Sequence, residues 1–139
     1  MAADEPEINV EQVHKGRGDK ADSWLSAWRI ENLGDTSIEI VSARLPHGKF
    51  RSKDLRFSPS ISVPARGGAV VNAAVAFNEA PGTIVENAFL ILLIECLQVR
   101  WRVFVRFRVT ANQAAEPETL TELITTQKVG FSAAPGERK

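Results

Sequence analysis

The residues best suited to chemistry in this chain are four arginines that recur within one short run around a phenylalanine. They are Arg100, Arg102, Arg106 and Arg108, with Phe104 in the middle. Because alternate residues of a strand share one face, this spacing predicts a basic ladder on a β-strand. A guanidinium group can hold a carboxylate or a phosphate through two parallel hydrogen bonds. The ladder is therefore a candidate binding site for an anionic ligand.

A second interpretation of the ladder is a solvated sheet face whose arginines pair with glutamates on neighbouring strands, such as Glu39 or Glu95. The chain has 17 basic and 17 acidic residues and a formal net charge of zero. Nucleic-acid binding ordinarily requires a basic surface larger than one ladder, so the sequence argues against nucleic acid as a partner.

Motifs for catalysis or metal binding are missing from the sequence. His14 and His47 stand far apart, without a cysteine or carboxylate at ligand spacing. Cys96 ends an apolar run and is interpreted as a small core residue. No Gly-x-Ser-x-Gly turn or glycine-rich phosphate loop occurs. We expect a protein that is not an enzyme and that uses no cofactor and no metal.

Two further features have structural explanations. The tripeptide Arg17-Gly18-Asp19 spells a cell-adhesion motif but fits an ordinary loop. Trp28 and Trp101 alternate with aliphatic residues, which predicts core packing rather than a sugar-binding platform. Trp24 lies nearest a strand end and is the expected exception.

The ladder belongs to a stretch from Asn87 to Thr110 that contains neither glycine nor proline. Its second half, Val99–Val109, alternates apolar with mainly basic residues, as a strand with one buried face does. Its first half, Ala88–Ile94, is apolar at every position, which is typical of a strand covered on both faces. These halves predict two adjacent antiparallel strands that turn near residues 95–98.

A strand at Ala88–Ile94 has two apolar faces. The core covers one of them, and the other needs a separate cover. Strand alternation groups Leu90, Leu92 and Ile94 on one face, with the residues between them on the other, and does not decide which group points outward. We take Leu90, Leu92 and Ile94 as the candidate interface. The cover is either a protein partner, including a second copy in a homodimer, or the chain's own segment 120–124.

Alternating runs at residues 8–14, 23–30, 37–45 and 69–77, and a weaker one at 50–57, are separated by turn signals. They predict an all-β antiparallel sandwich of about seven strands within residues 1–111. Residues 112–139 are predicted to form a C-terminal extension: a linker, a short apolar segment and a disordered tail. Residues 118–127 are expected to form a helix, with an extended segment as the alternative.

The Asn32-Leu33-Gly34-Asp35 turn, the Pro64-Ala65-Arg66-Gly67-Gly68 entry to a strand and the closing hairpin resemble those of bacterial immunoglobulin-like sandwiches, over residues 7–111. The chain lacks the cysteine pair of antibody domains. The resemblance implies an immunoglobulin-like fold, and such folds serve as adhesion modules, chaperone-like binders, enzyme appendages and assembly scaffolds. It also implies that the third strand joins the ladder's sheet, so that Arg44 and Lys49 extend the basic patch.

The function expected from these patterns is a non-enzymatic interaction or assembly module that acts through the surface of the 87–110 hairpin. The alternative is a module that binds an anionic ligand, nucleic acid or an acidic polysaccharide, through the arginine ladder. The N-terminus lacks the basic and apolar regions of a signal peptide, and the run at 88–94 is far shorter than the roughly 20 residues of a spanning helix. A cytoplasmic location is expected, with a trimmed exported form as the alternative.

Overall fold

Alternating apolar residues form eight β-strands in the computed structural model, which describes residues 5–46 and 48–129. The predicted disordered tail, from residue 132, lies outside the described residues. The strands are β1 (Ile8–Arg17), β2 (Ser23–Asn32), β3 (Ile38–Arg44), β4 (Leu55–Val63), β5 (Gly68–Ala76), β6 (Ile84–Cys96), β7 (Val99–Ala111) and β8 (Pro117–Lys128).

These strands form two antiparallel sheets. One sheet has three strands in the order β1-β2-β5, and the other has five in the order β4-β3-β6-β7-β8. The central pair is β6 and β7, where Leu92 lies opposite Val103. The prediction of an all-β antiparallel sandwich is confirmed.

Side chains from both sheets meet in one aromatic and aliphatic core. The Trp28 ring stacks on that of Phe107 at 5.6 Å between centroids, and Phe50 packs edge-on against Trp28 at 6.2 Å. Ile30 and Leu92 are fully buried. Burial of each such side chain contributes roughly 1.5–3 kcal/mol, so this core holds the two sheets together.

The tryptophans differ from expectation in one respect. Trp24 is buried, and its indole Nε1 donates a hydrogen bond to the Phe77 carbonyl at 2.9 Å. Trp101 packs against the core but is only partly buried. The expectation that Trp24 would be the exception was wrong, because strand β5 and the residue after it cover the end of β2.

The segment 118–127 is a strand and not a helix. A helix would have placed Leu120, Leu123 and Ile124 on one face. In β8, Ile124 packs against the core while Leu120 and Leu123 are exposed. The reason is that β7 offers a full row of backbone groups for pairing, and β8 matches it from Ala111–Pro117 to Trp101–Lys128. The extended alternative is correct.

The predicted bounds of two strands also differ from the observed ones. Lys15 and Arg17, expected in a turn, continue β1, so the strand is longer than predicted. The weak strand expected at residues 50–57 forms later, at Leu55–Val63, and passes through Pro59, which follows a cis peptide bond. Proline is tolerated there because β4 is the outermost strand of its sheet.

One glutamine side chain joins the two sheets where β1 and β8 lie side by side. The Gln12 amide donates to the Pro117 carbonyl at 3.0 Å and accepts from the Thr119 N–H at 2.9 Å. It also donates to the Ser26 hydroxyl at 2.9 Å, while the Thr121 hydroxyl donates to the Val10 carbonyl. The Gln12 side chain therefore takes the place of a strand neighbour for the start of β8.

The turn between β6 and β7 is two residues long and consists of Leu97 and Gln98. Their φ angles are +52° and +65°, which is the geometry of a type I′ hairpin turn. Asn-Gly is strongly preferred in this turn because positive φ brings the Cβ of most residues too close to the backbone. The hairpin therefore forms with an unfavourable turn sequence, and its stability comes from the strands.

The change Gln12→Ala should lower the free energy of unfolding by about 1–3 kcal/mol, because the polar groups of Pro117 and Thr119 lose their partner. Urea unfolding of both proteins would measure the difference. Gln113→Ala, at an exposed loop position, is the matched control and should stay within about 0.5 kcal/mol of the unchanged protein. Equal effects of the two changes would contradict the role given to Gln12.

Replacing Leu97-Gln98 by Asn-Gly should raise the free energy of unfolding by about 1 kcal/mol or more, since the new residues adopt positive φ more readily. Thermal unfolding would detect this as a higher Tm. The single change Leu97→Ala keeps a Cβ at positive φ and removes only an exposed side chain, so it should bring no such gain. A lower Tm for the Asn-Gly variant would argue against this explanation.

Candidate functional site

The orientation of β6 determines which surface of the five-stranded sheet can bind a partner. Leu90, Leu92 and Ile94 are buried in the core, so the expectation that they form the outward interface was wrong. The residues between them point outward instead. Both groups are equally apolar, and only the register with β7, which aligns Leu92 with buried Val103, decides between them.

The outward group and one aromatic neighbour form what we call the apolar stripe: Phe89, Ile91, Leu93 and Phe104. Ile91 lies opposite Phe104 on β7. All four side chains are partly exposed, and none belongs to the set that packs on the core. The stripe therefore lies on the outer face, at the centre of the sheet.

One of the two covers expected from the sequence was the chain's own segment 120–124. This segment does not cover the apolar stripe. Strand β8 pairs edge to edge with β7 and extends the sheet sideways. Its Leu123 lies opposite Arg106 and is exposed. The stripe thus remains accessible in the part of the chain that the structure describes.

The arginine ladder flanks the stripe on the same face, and three of its four arginines have carboxylate partners. Arg100 lies 3.8 Å from Glu95, and Arg106 lies 3.9 Å from Glu122. Arg108 lies between two carboxylates, at 3.3 Å from Glu86 and 3.4 Å from Glu122. Such partly exposed pairs contribute little to stability, but they neutralise most of the ladder.

The sequence interpretation of the ladder as a solvated, paired face applies to these three arginines. Glu95 pairs as expected, whereas Glu39 accepts a hydrogen bond from the Ser60 hydroxyl at 2.7 Å. The Nε of Arg106 is buried and has no hydrogen-bond partner among the described residues.

The remaining ladder arginine, Arg102, lies beside a shallow depression in the outer face. Arg102 and Arg56 have no carboxylate within 4 Å among residues 5–46 and 48–129, whereas Arg44 lies 3.9 Å from Asp54. The depression has a volume of about 200 Å³. Its lining is Ser42, Ala43, Arg44, Asp54, Leu55, Arg56, Ile91, Leu93 and Arg102.

The depression thus places three guanidinium groups and one carboxylate around an apolar floor formed by Ile91 and Leu93. Strand β3 contributes Arg44, which lies opposite Ile91. Arg44 was expected to extend the basic patch, and its position agrees with that expectation. Lys49 was expected there too, but it lies 3.9 Å from Glu79 and does not line the depression.

Sequence reasoning missed Arg56 and Asp54 as site residues. They belong to the charged stretch at residues 50–57, which was assigned only as a weak strand. Arg56 on β4 pairs with Ser42 on β3, and Ser42 pairs with Leu93 on β6. The charged stretch therefore lies next to the apolar stripe on the same sheet. The high charge of residues 50–57 was a signal of an edge strand. The sequence did not show which strand this edge strand pairs with.

The other candidate residues do not gather into a site. No group of three or more His, Cys, Asp or Glu residues that could hold a metal occurs in the described ranges. His47 falls outside them. Cys96 is buried, and Arg17 lies over the Trp24 ring at 5.1 Å as part of β1. Within the same residues, no helix has the length and apolar character needed to cross a membrane.

The environment of Glu118, at the β1–β8 contact, alters the titration of its carboxylate. The Asn112 side-chain amide donates to it at 3.1 Å, and the Lys15 ammonium lies 3.4 Å away. The hydrogen bond from Asn112, supported by the charge of Lys15, lowers the pKa of Glu118 below its usual 4.5. The ionised form is therefore favoured in the folded state.

No protein-family model matches the sequence of this chain, and no curated protein is significantly similar to it.

The lowered pKa of Glu118 predicts a specific pH dependence. Its contribution to stability is present above the pKa that Glu118 has in the unfolded chain and is lost as pH falls through the lower folded-state pKa. The variant Glu118→Gln should therefore be less stable than the unchanged protein at neutral pH, and the difference should shrink on acidification. Urea unfolding at a series of pH values would test this, and a difference that stays constant to low pH would contradict it.

Proposed function

We propose that this protein is a non-enzymatic protein-interaction module that binds its partner through the outer sheet face, defined as the apolar stripe together with Arg44, Arg56 and Arg102. The observation that carries the proposal is the accessible apolar stripe at the centre of a five-stranded sheet. Clusters of apolar side chains on a protein surface are typical of interaction sites.

The composition of this face favours a protein over a small molecule. Aromatic residues and arginine are the types enriched in the cores of protein interfaces. The depression of about 200 Å³ is smaller than the roughly 300–1,000 Å³ of ordinary ligand pockets. A partner that presents an acidic residue beside apolar ones would contact both the arginines and the apolar floor of the depression.

The strand arrangement supports the immunoglobulin-like assignment as part of this proposal. Strands β1, β2 and β5 form one sheet, and β3, β6 and β7 lie side by side in the other. Immunoglobulin domains divide their strands between two sheets in a comparable way. In the constant-type domain the fourth strand joins the first sheet, whereas β4 here pairs with β3, and β8 is an addition beyond β7.

A second candidate function is capture of an anionic ligand, such as an acidic polysaccharide. The observation that favours it is the lack of a nearby carboxylate for Arg56 and Arg102 within the described part of the chain. Guanidinium groups without partners attract carboxylates, sulfates and phosphates. Binding of this kind weakens steeply as salt rises, whereas apolar contact does not.

The double change Ile91→Ser with Leu93→Ser should abolish partner capture, because it removes the apolar floor and keeps the arginines. Immobilised protein would be incubated with cell lysate at low and high salt, and bound proteins would be identified. Val70→Ser is the matched control, since Val70 is an exposed strand residue in the three-stranded sheet. It should retain the same partners at both salt concentrations.

Recovery of identical partners by the double variant would overturn the proposal. The anionic alternative has its own signature: heparin should bind at low salt, and Arg56→Gln with Arg102→Gln should remove that binding while the serine variant keeps it. Absence of heparin binding at low salt would exclude the alternative.

A further inference from the structure

Two arginines of the outer sheet face have no carboxylate within 4 Å in the part of the chain that the structure describes, and both line the shallow depression. They are Arg56 on β4 and Arg102 on β7. The third arginine of the depression, Arg44, lies 3.9 Å from Asp54, which balances its charge. The depression therefore holds two guanidinium groups that are available to a carboxylate from outside.

Strand pairing places these two arginines at the ends of one row of residues across the sheet. Arg56 pairs with Ser42 on β3. Ser42 pairs with Leu93 on β6, and Leu93 pairs with Arg102. Neighbouring strands lie about 4.8 Å apart, so three such steps separate the two arginine backbones by roughly 14 Å. The space between them suits one carboxylate, because its two oxygens can accept hydrogen bonds from both guanidinium groups.

Beyond that row, the face along β6 offers apolar side chains. Two residues from Leu93, Ile91 lies opposite Phe104 on β7. Two residues further, Phe89 lies opposite Arg106, whose charge is balanced by Glu122. Alternate residues of a strand are about 6.6–6.8 Å apart. The face therefore presents one position for an acid, followed by two apolar positions at that interval.

An extended partner segment matches this interval, whereas a helix does not. Alternate side chains of an extended segment are also about 6.6–6.8 Å apart, so they stay aligned with β6 over all three rows. Successive side chains on one helix face repeat at about 5.4 Å, and after two steps they are displaced by roughly 2–3 Å. A second acid above the apolar rows would lose its water without gaining a cation, which is unfavourable.

We propose that the outer sheet face binds an extended segment of its partner that carries one acidic residue and, two and four residues away from it, apolar residues. The acidic side chain lies between Arg56 and Arg102, and the apolar side chains pack on Ile91 and Phe89. This inference rests on the proposed function and specifies the chemistry that the same face recognises.

A phage library of random peptides, selected on the immobilised full-length protein, tests this inference. Enriched peptides should contain an acidic residue with apolar residues at the second and fourth positions from it. The double variant Arg56→Gln with Arg102→Gln should enrich peptides that keep the apolar alternation but lack the acidic residue. Arg29→Gln is the matched control, since Arg29 is an exposed residue of the three-stranded sheet, and it should keep the acidic preference.

A synthetic copy of an enriched peptide provides the second measurement. Replacing its acidic residue by the corresponding amide should weaken binding to the unchanged protein by about tenfold or more, since hydrogen bonds to a charged group are lost. The same replacement should hardly change binding to the variant with both Arg56→Gln and Arg102→Gln. Equal losses for the two proteins would overturn the placement of the acidic residue between these arginines.

The serine variant Ile91→Ser with Leu93→Ser distinguishes failure of this inference from failure of the proposed function. Peptides without an acidic preference, or with apolar residues at intervals of three and four, would overturn the inference alone if the serine variant does not enrich them. Enrichment of the same peptides by the serine variant, or no enrichment by the unchanged protein, would contradict the proposed function and this inference with it.

Discussion

Antiparallel pairing of β6 with β7 is the interaction on which the rest of this structure depends. Each strand is 13 residues long, and their register runs from Ile84–Thr110 to Cys96–Val99. That register sends Leu92 and Val103 together into the core and leaves Ile91 and Phe104 together outside. The core and the candidate binding face are therefore the two sides of one strand pair, and a one-residue slip would exchange them.

The arginines of the outer face show how neighbouring strands determine what a basic residue can do. Glutamates on β6 and β8 neutralise Arg100, Arg106 and Arg108. Arg102 belongs to the same ladder, but its neighbours across the sheet are Leu93 and Gln127, which carry no charge. Three arginines of one strand thus have carboxylate partners, whereas Arg102 has none within 4 Å among the described residues.

Strand β8 completes the sheet and also connects it to the other one. Gln12 binds the backbone at its start and Trp28 donates to the Thr119 hydroxyl at 3.0 Å, so the two sheets are joined by hydrogen bonds as well as by the core. These contacts end at Thr121. Among the described strands, the remaining half of β8 pairs only with β7.

The amino-acid sequence alone determined the all-β class, most strand positions and the alternation of β7, because period-two patterning and turn residues are local signals. It also singled out the ladder arginines. It did not determine which face of β6 turns outward, since both faces are apolar, nor the strand character of residues 118–127, where the apolar spacing also suits a helix. Tertiary pairing decided both, by aligning Leu92 with Val103 and by offering β8 the open edge of β7. The approach of Arg56 to Leu93 through Ser42 is likewise a consequence of strand order, which no local pattern encodes.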